Sequence, residues 1–253
     1  MKDTLAGAAR SAPDGAVEGR DPRGPILAVV GIVVAEVVVA FVDPVAGAAL
    51  HGLLLLGLLL GWVAAGDRAL LVLALVPLGR VTSLALTPRD DGAWAHLLTG
   101  LPLLIAVLWL LRGSARPVVW ARPAWHALAV ALAGVPLGLI ASALLDLPRA
   151  GGMVVPLAAL VVFVFAGVLE ELLFRGLVQR ALTQPLGARG VVLADVLFVA
   201  AYLPTRDVGL IVWMAVLGLG AGYYVRRTGG LTAVAVAHGL MAAGALVIWP
   251  ALG

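Results

Sequence analysis

The sequence predicts an all-α, polytopic bundle of about nine membrane-spanning helices, and three observations carry that prediction. Of 253 residues, 62% are hydrophobic and only 12% are charged, against roughly 25% charged in soluble globular chains. The apolar excess is aliphatic, with aromatics at 6%, and it comes in continuous runs rather than in the alternation of a barrel strand. Those runs are also close to the roughly 20 residues that a helix needs to cross a bilayer.

Taken in order, residues 1–24 (MKDTLAGAARSAPDGAVEGRDPRG) are too polar to pack and read as a disordered cytoplasmic tail. Asp3, Asp14, Glu18 and Asp21 interrupt any basic leader, so a signal peptide is not expected. Apolar runs follow at about 25–42, 44–64, 69–88, 92–112, 125–146, 152–174, 189–204, 208–225 and 231–250. The seventh is short, and the sixth continues as helix to about 182. Turn-forming residues stand at the breaks: Asp43-Pro44, Gly66-Asp67, Pro88-Arg89-Asp90-Asp91, Pro148, Pro185-Leu186-Gly187 and Gly229-Gly230. The expected organisation is the tail, a first group of transmembrane helices over 25–124, and a second over 125–253 within the same membrane domain.

The 17 Lys and Arg residues are unevenly placed. Lys2, Arg10, Arg20, Arg23, Arg68, Arg112, Arg116, Arg122, Arg180, Arg189, Arg226 and Arg227 fall on one side of the alternating spans, and Arg89, Arg149 and Arg206 on the other. Positive charge accumulates on the cytoplasmic side, so the N-terminus is expected inside and the C-terminus outside. Trp94, Trp109, Trp120, Trp125 and Trp249 stand near run ends, as interfacial anchors do. The net charge is only +3 and is spent on these connections, which points to membrane lipids as partners and away from nucleic acid. The Ala-, Val- and Arg-rich composition suits a bacterial cell membrane. With no Cys, disulfides, thiolate metal sites and a Cys nucleophile are excluded.

Ionisable groups inside a bilayer are costly, by roughly 2.5–3.5 kcal/mol each, so each needs a partner or a job. Glu36 and Arg80 lie at equal depth, ~16 Å from the same side, and read as a structural ion pair. His51, His96 and His126 sit toward run ends and read as structural. The segment GVLEELLFRGLVQRAL differs. Glu171 and Arg175 are spaced i,i+4, so the guanidinium reaches that carboxylate. Glu170 points about 100° away, free to face a cavity. Downstream lie Asp195, Phe198 and Tyr202 in ADVLFVAAYLP, and His238 in LTAVAVAHGLMAAG. Counted at 1.5 Å per residue from the cytoplasmic ends, Glu170 stands at ~18 Å, Phe198 at ~13 Å, Tyr202 at ~20 Å, His238 at ~12 Å and Ala242 at ~18 Å. One polar layer, in a chamber opening toward the cytoplasm, is the expectation.

These residues resemble the CPBP family of intramembrane proteases, which includes the CAAX prenyl endopeptidases. EELLFRG at 170–176 is similar to the family's EExxxR motif, and IVWMAVLGLGAGYYVRRTGGLTAVAVAHG at 211–239 to its Gly-rich helix, basic turn and His-bearing helix. The resemblance spans roughly residues 125–253. It implies a hydrolase that cleaves a peptide bond of a membrane-associated peptide or protein near the cytoplasmic leaflet. Glu170 matches the catalytic Glu, Glu171 and Arg175 the supporting pair, and His238 the His of the HxxxN motif. Two positions depart from the pattern: Tyr202 stands where FxxxH has His, and Ala242 where HxxxN has Asn. Glu170 remains available as general base, His238 as proton donor to the leaving amine, and Tyr202 as hydrogen-bond donor to the oxyanion. A metalloprotease-type Zn²⁺ would take Glu170 and His238, but that ligand set is incomplete. The alternative is a catalytically impaired member that serves as a membrane binding or scaffold protein. A transporter, prompted by Glu36, Arg80 and the Gly-rich run, lacks the repeat or broken-helix pair that would mark its site.

Overall fold

The computed structural model describes residues 21–86, 92–112, 125–145, 147 and 153–252. The predicted breaks at 88–91 and Pro148, Trp120, and most of the predicted tail lie outside the described residues. The fold is an all-α polytopic bundle, and its helices begin and end where local chemistry requires. After α1 (Arg23–Phe41), Asp43 accepts the Ala46 N–H at 2.7 Å and Pro44 occupies the first turn of α2 (Pro44–Ala65). Gly66, at φ 66°, closes α2 by donating to the Trp62 carbonyl. Asp67 then accepts from Ala69 N at 3.0 Å to start α3 (Arg68–Leu86), which is interrupted at Ala74, one turn before Pro77.

α4 (Ala93–Arg112) and α5 (Trp125–Leu144) follow, then α6 (Val155–Leu186). At 32 residues, α6 is ~48 Å long, well beyond the roughly 30 Å hydrocarbon core. α7 (Arg189–Ala200) has 12 residues. α8 (Val208–Thr228) is capped by Asp207, which accepts from Leu210 N at 3.0 Å, and is closed by Gly229 at φ 72°. α9 (Leu231–Leu252) completes the bundle.

Among the described residues, eight of these nine helices are long and apolar enough to cross a membrane. The exception among the about nine expected is α7, which has 12 residues. At ~18 Å it is too short to span alone, because Pro204 disfavours helix in the residues before it and the chain turns through Leu203–Thr205. The path still runs from one end of the bundle to the other. Gly190 packs on the backbone of Leu182 and Thr183 at the end of α6, whereas Arg206 Nε donates to the Ala40 carbonyl at the end of α1, 2.7 Å away.

α9 lies at the centre and is the most buried span. On α5, Gly134 and Gly138 face the backbone of α9 at Ala237 and Met241, so closely that a Cβ at either position would collide with a carbonyl oxygen. The outward faces are apolar: Leu53, Leu56, Leu60 and Val63 on α2, Leu128, Leu132, Val135 and Leu139 on α5, and Val212 and Val216 on α8 are all exposed. Such a surface is stable only against lipid, and helices satisfy their own backbone groups there. The chain is an integral membrane protein. Gly218 and Gly222, a GxxxG pair, face inward. A Cβ at Gly218 would meet Asp195, Arg175 and Phe198, and at Gly222 it would meet Gln179 and Val191.

The distribution of basic residues gives a direct test of orientation, and the lack of native Cys makes it clean. Val208 and Arg226, both exposed, stand at opposite ends of α8. Single-cysteine variants Val208→Cys and Arg226→Cys should label from opposite faces with a membrane-impermeant maleimide. Val208→Cys should react in intact cells and Arg226→Cys only after permeabilisation.

Candidate functional site

Glu170 and Glu171 sit in the middle of α6, and the backbone on both sides of them is unusual. It widens to i→i+5 bonding over Phe163–Val168 and again over Leu172–Val178, leaving Leu169–Glu171 as one α-helical turn between two π-helical stretches. Each widening shifts the faces that later side chains occupy, and such insertions recur at functional sites. Just ahead of the pair, Gly167 touches α9, where a Cβ would run into the backbone of Gly239 and His238. That close approach of two main chains brings His238 to both carboxylates.

The two glutamates have different partners. Glu171 is buried, with 2% of its side chain exposed; Oε1 lies 2.9 Å from His238 Nδ1 and Oε2 lies 3.4 Å from Arg175 Nε. Arg175 also reaches Asp195, Nη2 to Oδ1 at 3.4 Å, and its guanidinium lies 4.0 Å over the Phe198 ring. The i,i+4 pairing read from the sequence is present, Glu170 is turned away from Arg175 as expected, and Asp195 supplies Arg175 with its second carboxylate. Asp195 therefore faces the arginine and does not line the polar chamber.

Glu170 is the accessible member, with 29% of its side chain exposed. Its Oε2 accepts a hydrogen bond from the Tyr202 hydroxyl at 2.7 Å and lies 4.0 Å from His238 Nε2. Phe198 packs edge-on against Tyr202 and His238 at ring separations of 5.4 and 6.0 Å, which fixes both rings beside the carboxylate. A hydrogen bond from Nδ1 to Glu171 leaves Nε2 as the nitrogen that faces Glu170.

Glu170, Tyr202 and His238 line a cavity of about 560 Å³, whose wall also includes His96, Thr99, Trp213 and Ala242. It extends to Gly92, Leu147, Thr205 and Asp207 at one end of the bundle. That end lies opposite Arg68 and Arg226, which corrects the expectation of a chamber opening toward the arginine-rich side. α7 stops at Ala200, so Tyr202 belongs to the turn at its end, yet its hydroxyl stands at the depth of Glu170, as the residue count expects. A second cavity of about 340 Å³ lies between α5, α8 and α9 and is almost wholly apolar. His238, Met214 and Met241 belong to the walls of both.

His96, read from the sequence as structural, belongs to the cavity wall. Its companion Thr99, one turn on along α4, is the only sequence hint that this face is polar. Glu36 and Arg80 form the expected ion pair, with Nε to Oε1 at 3.0 Å and Nη2 to Oε2 at 2.9 Å, and buried His51 joins them at 3.6 Å. His126 packs edge-on near Tyr224.

A zinc site takes three or four protein donors, and the residues here do not fit one. Glu170 and His238 are two donors, the Tyr202 phenol is already bonded to Glu170, and Ala242 has none to give. Among the described residues no three His, Asp or Glu side chains are grouped to hold a metal ion.

Comparison with known proteins places a family on this same region. Residues 152–244 match the family described as type II CAAX prenyl endopeptidase Rce1-like, which bears out the resemblance carried by EELLFRG and the His238 helix. No curated protein and no solved structure matches the chain.

The packing around Arg175 is open to a paired test. Gly218→Ala places a Cβ against Asp195 and Arg175, whereas Gly220 on the same helix has open space around it. Gly218→Ala should destabilise by about 1–3 kcal/mol through overpacking. Gly220→Ala should be neutral or stabilising by up to about 1 kcal/mol. Thermal unfolding in detergent micelles reads both.

Proposed function

From the Rce1-like match over residues 152–244, we propose that the chain is an intramembrane endopeptidase of the CAAX-protease type, which hydrolyses a peptide bond of a membrane-associated peptide or protein. The observation that carries this reading is the Glu170 carboxylate, set between the Tyr202 hydroxyl and His238 Nε2 in the wall of a cavity that reaches one end of the bundle.

The chemistry follows from the positions of the protons. Glu170 takes a proton from a water molecule as that water attacks the scissile carbonyl. Tyr202 turns its O–H from Glu170 to the developing oxyanion, a donor preplaced beside the reacting carbon. His238 enters the step as an imidazolium, with Nδ1–H on Glu171, and passes its Nε2 proton to the departing amine. The C–N bond then breaks, and the proton held by Glu170 replaces the one that His238 gave up. Water and peptide become a carboxylic acid and an amine, with both side chains restored. Arg175 touches no reacting atom in this scheme. It holds Glu171, and Glu171 holds His238.

The peptide reaches Glu170 from the Gly92, Leu147 and Asp207 end, and the apolar cavity beside it suits a hydrophobic flanking segment. The labelling of Val208→Cys and Arg226→Cys tells which leaflet that end faces.

Purified full-length protein in proteoliposomes, offered a library of membrane-anchored peptides, should cleave a subset of them. Glu170→Ala and His238→Ala should each lower kcat/KM by about 10²–10⁴, and Tyr202→Phe by about 10²–10³ as for loss of one oxyanion donor. No cleavage by the wild type, or full cleavage by both alanine variants, would sink the catalytic reading. The outcome would then favour a scaffold that keeps the Glu171–Arg175 lock without turnover.

A further inference from the structure

The buried pair of Glu36 on α1 and Arg80 on α3 lies outside the matched segment and away from the cavity wall, yet it ends on the backbone that carries Tyr202. Arg80 Nε donates to Glu36 Oε1 at 3.0 Å, Nη2 lies 2.9 Å from Oε2 within the ion pair, and Nη2 donates its hydrogen bond to the Ala201 carbonyl at 2.6 Å. Ala201 is the C-terminal cap of α7. Its carbonyl is one of those a helix end leaves without an intrahelical partner, and a cation is the favoured partner there. Glu36 is buried and cannot swing away, so the guanidinium is fixed from one side by the carboxylate and fixes the helix end on the other.

The rest of the turn is held as tightly. Tyr202 N–H donates to Val199, and its carbonyl accepts from Thr205 N at 3.1 Å and Thr205 Oγ1 at 2.7 Å. Arg206, in the left-handed region at φ 55°, donates from Nε to Ala40 on α1. Two arginines thus tie the turn on either side of Tyr202 to the N-terminal helices. The hydroxyl of the residue between them is the donor to Glu170.

We propose that Glu36 and Arg80 are positioning residues for the site: their ion pair, through the Ala201 carbonyl, sets where the Tyr202 hydroxyl stands against Glu170. This rests on the reading of Tyr202 as a site residue, and it gives the N-terminal helices a role in whatever chemistry the Rce1-like segment performs. A pair that only stabilised packing would work equally well with its charges exchanged. A pair that positions Tyr202 needs the guanidinium on α3, since a carboxylate at position 80 has nothing to donate to Ala201.

The test reads Tyr202 without relying on turnover. The chain has three tyrosines, so fluorotyrosine-labelled protein gives three fluorine resonances, and Tyr202→Phe assigns one of them. The double variant Glu36→Arg with Arg80→Glu restores opposite charges but leaves Ala201 without its donor. Arg80→Lys keeps a cation that can pair with Glu36 but lacks the fork that reaches both groups. In both variants the Tyr223 and Tyr224 resonances should stay in place, while the Tyr202 resonance moves toward that of a solvent-exposed fluorotyrosine. Where the wild type cleaves peptide, kcat should fall about tenfold with KM unchanged. A Tyr202 resonance identical to wild type in the exchanged pair would overturn the proposal. So would unfolding of both variants, which would make the pair a general support of the bundle. An inert wild type with a displaced Tyr202 resonance would count against peptide hydrolysis and leave the positioning role standing.

Discussion

Everything at the centre of this bundle is arranged around one need: a carboxylate placed deep among apolar helices must have partners, and Glu171 has two. Arg175 lies 3.4 Å from one oxygen and His238 2.9 Å from the other. Removing one partner from such a buried pair typically costs about 3–5 kcal/mol, because the remaining charge is stranded. The arrangement therefore holds α6 and α9 in a single relation. Asp195 and the Phe198 ring complete the surroundings of Arg175 and bring α7 into the same register. With these groups fixed, Glu170 is left as the carboxylate that faces open space.

Small residues make this closeness possible. Gly167 against Gly239, Gly134 against Ala237, and Gly218 against Asp195 remove the side chains that would keep the helices apart. In lipid, where apolar surface supplies little drive for helices to associate, such contacts and buried polar bonds are what holds a bundle together. The polar groups here serve two ends in one geometry. They tie the helices, and they line up Tyr202, Glu170 and His238 along one wall.

The N-terminal helices do more than enclose the rest. α1 and α3 meet the turn after α7 through Arg80 at Ala201 and through Ala40 at Arg206, so both sides of Tyr202 are anchored on elements far away in the sequence. α4 contributes His96 and Thr99 to the cavity wall. A region that bears no family motif thereby shapes the space in front of Glu170.

Much of this was legible in the chain itself. Hydrophobic runs of bilayer length, broken at Asp43-Pro44, Gly66-Asp67 and Gly229-Gly230, determined the helical bundle, since each break carries its own capping chemistry. The spacing of Glu171 and Arg175 determined their pairing, because i,i+4 neighbours touch on any helix. Opposite charges at equal depth determined the pairing of Glu36 with Arg80. Other features arise only when helices meet. The π-helical stretches around Glu170, the early end of α7, the capture of Arg175 by Asp195, the end of the bundle that the cavity reaches, and the tie from Arg80 to Ala201 all depend on contacts between segments up to 166 residues apart. Local periodicity holds no record of which backbone a side chain will meet, so the tertiary structure alone decided how the turn that carries Tyr202 is anchored and to which end of the bundle the cavity in front of Glu170 extends.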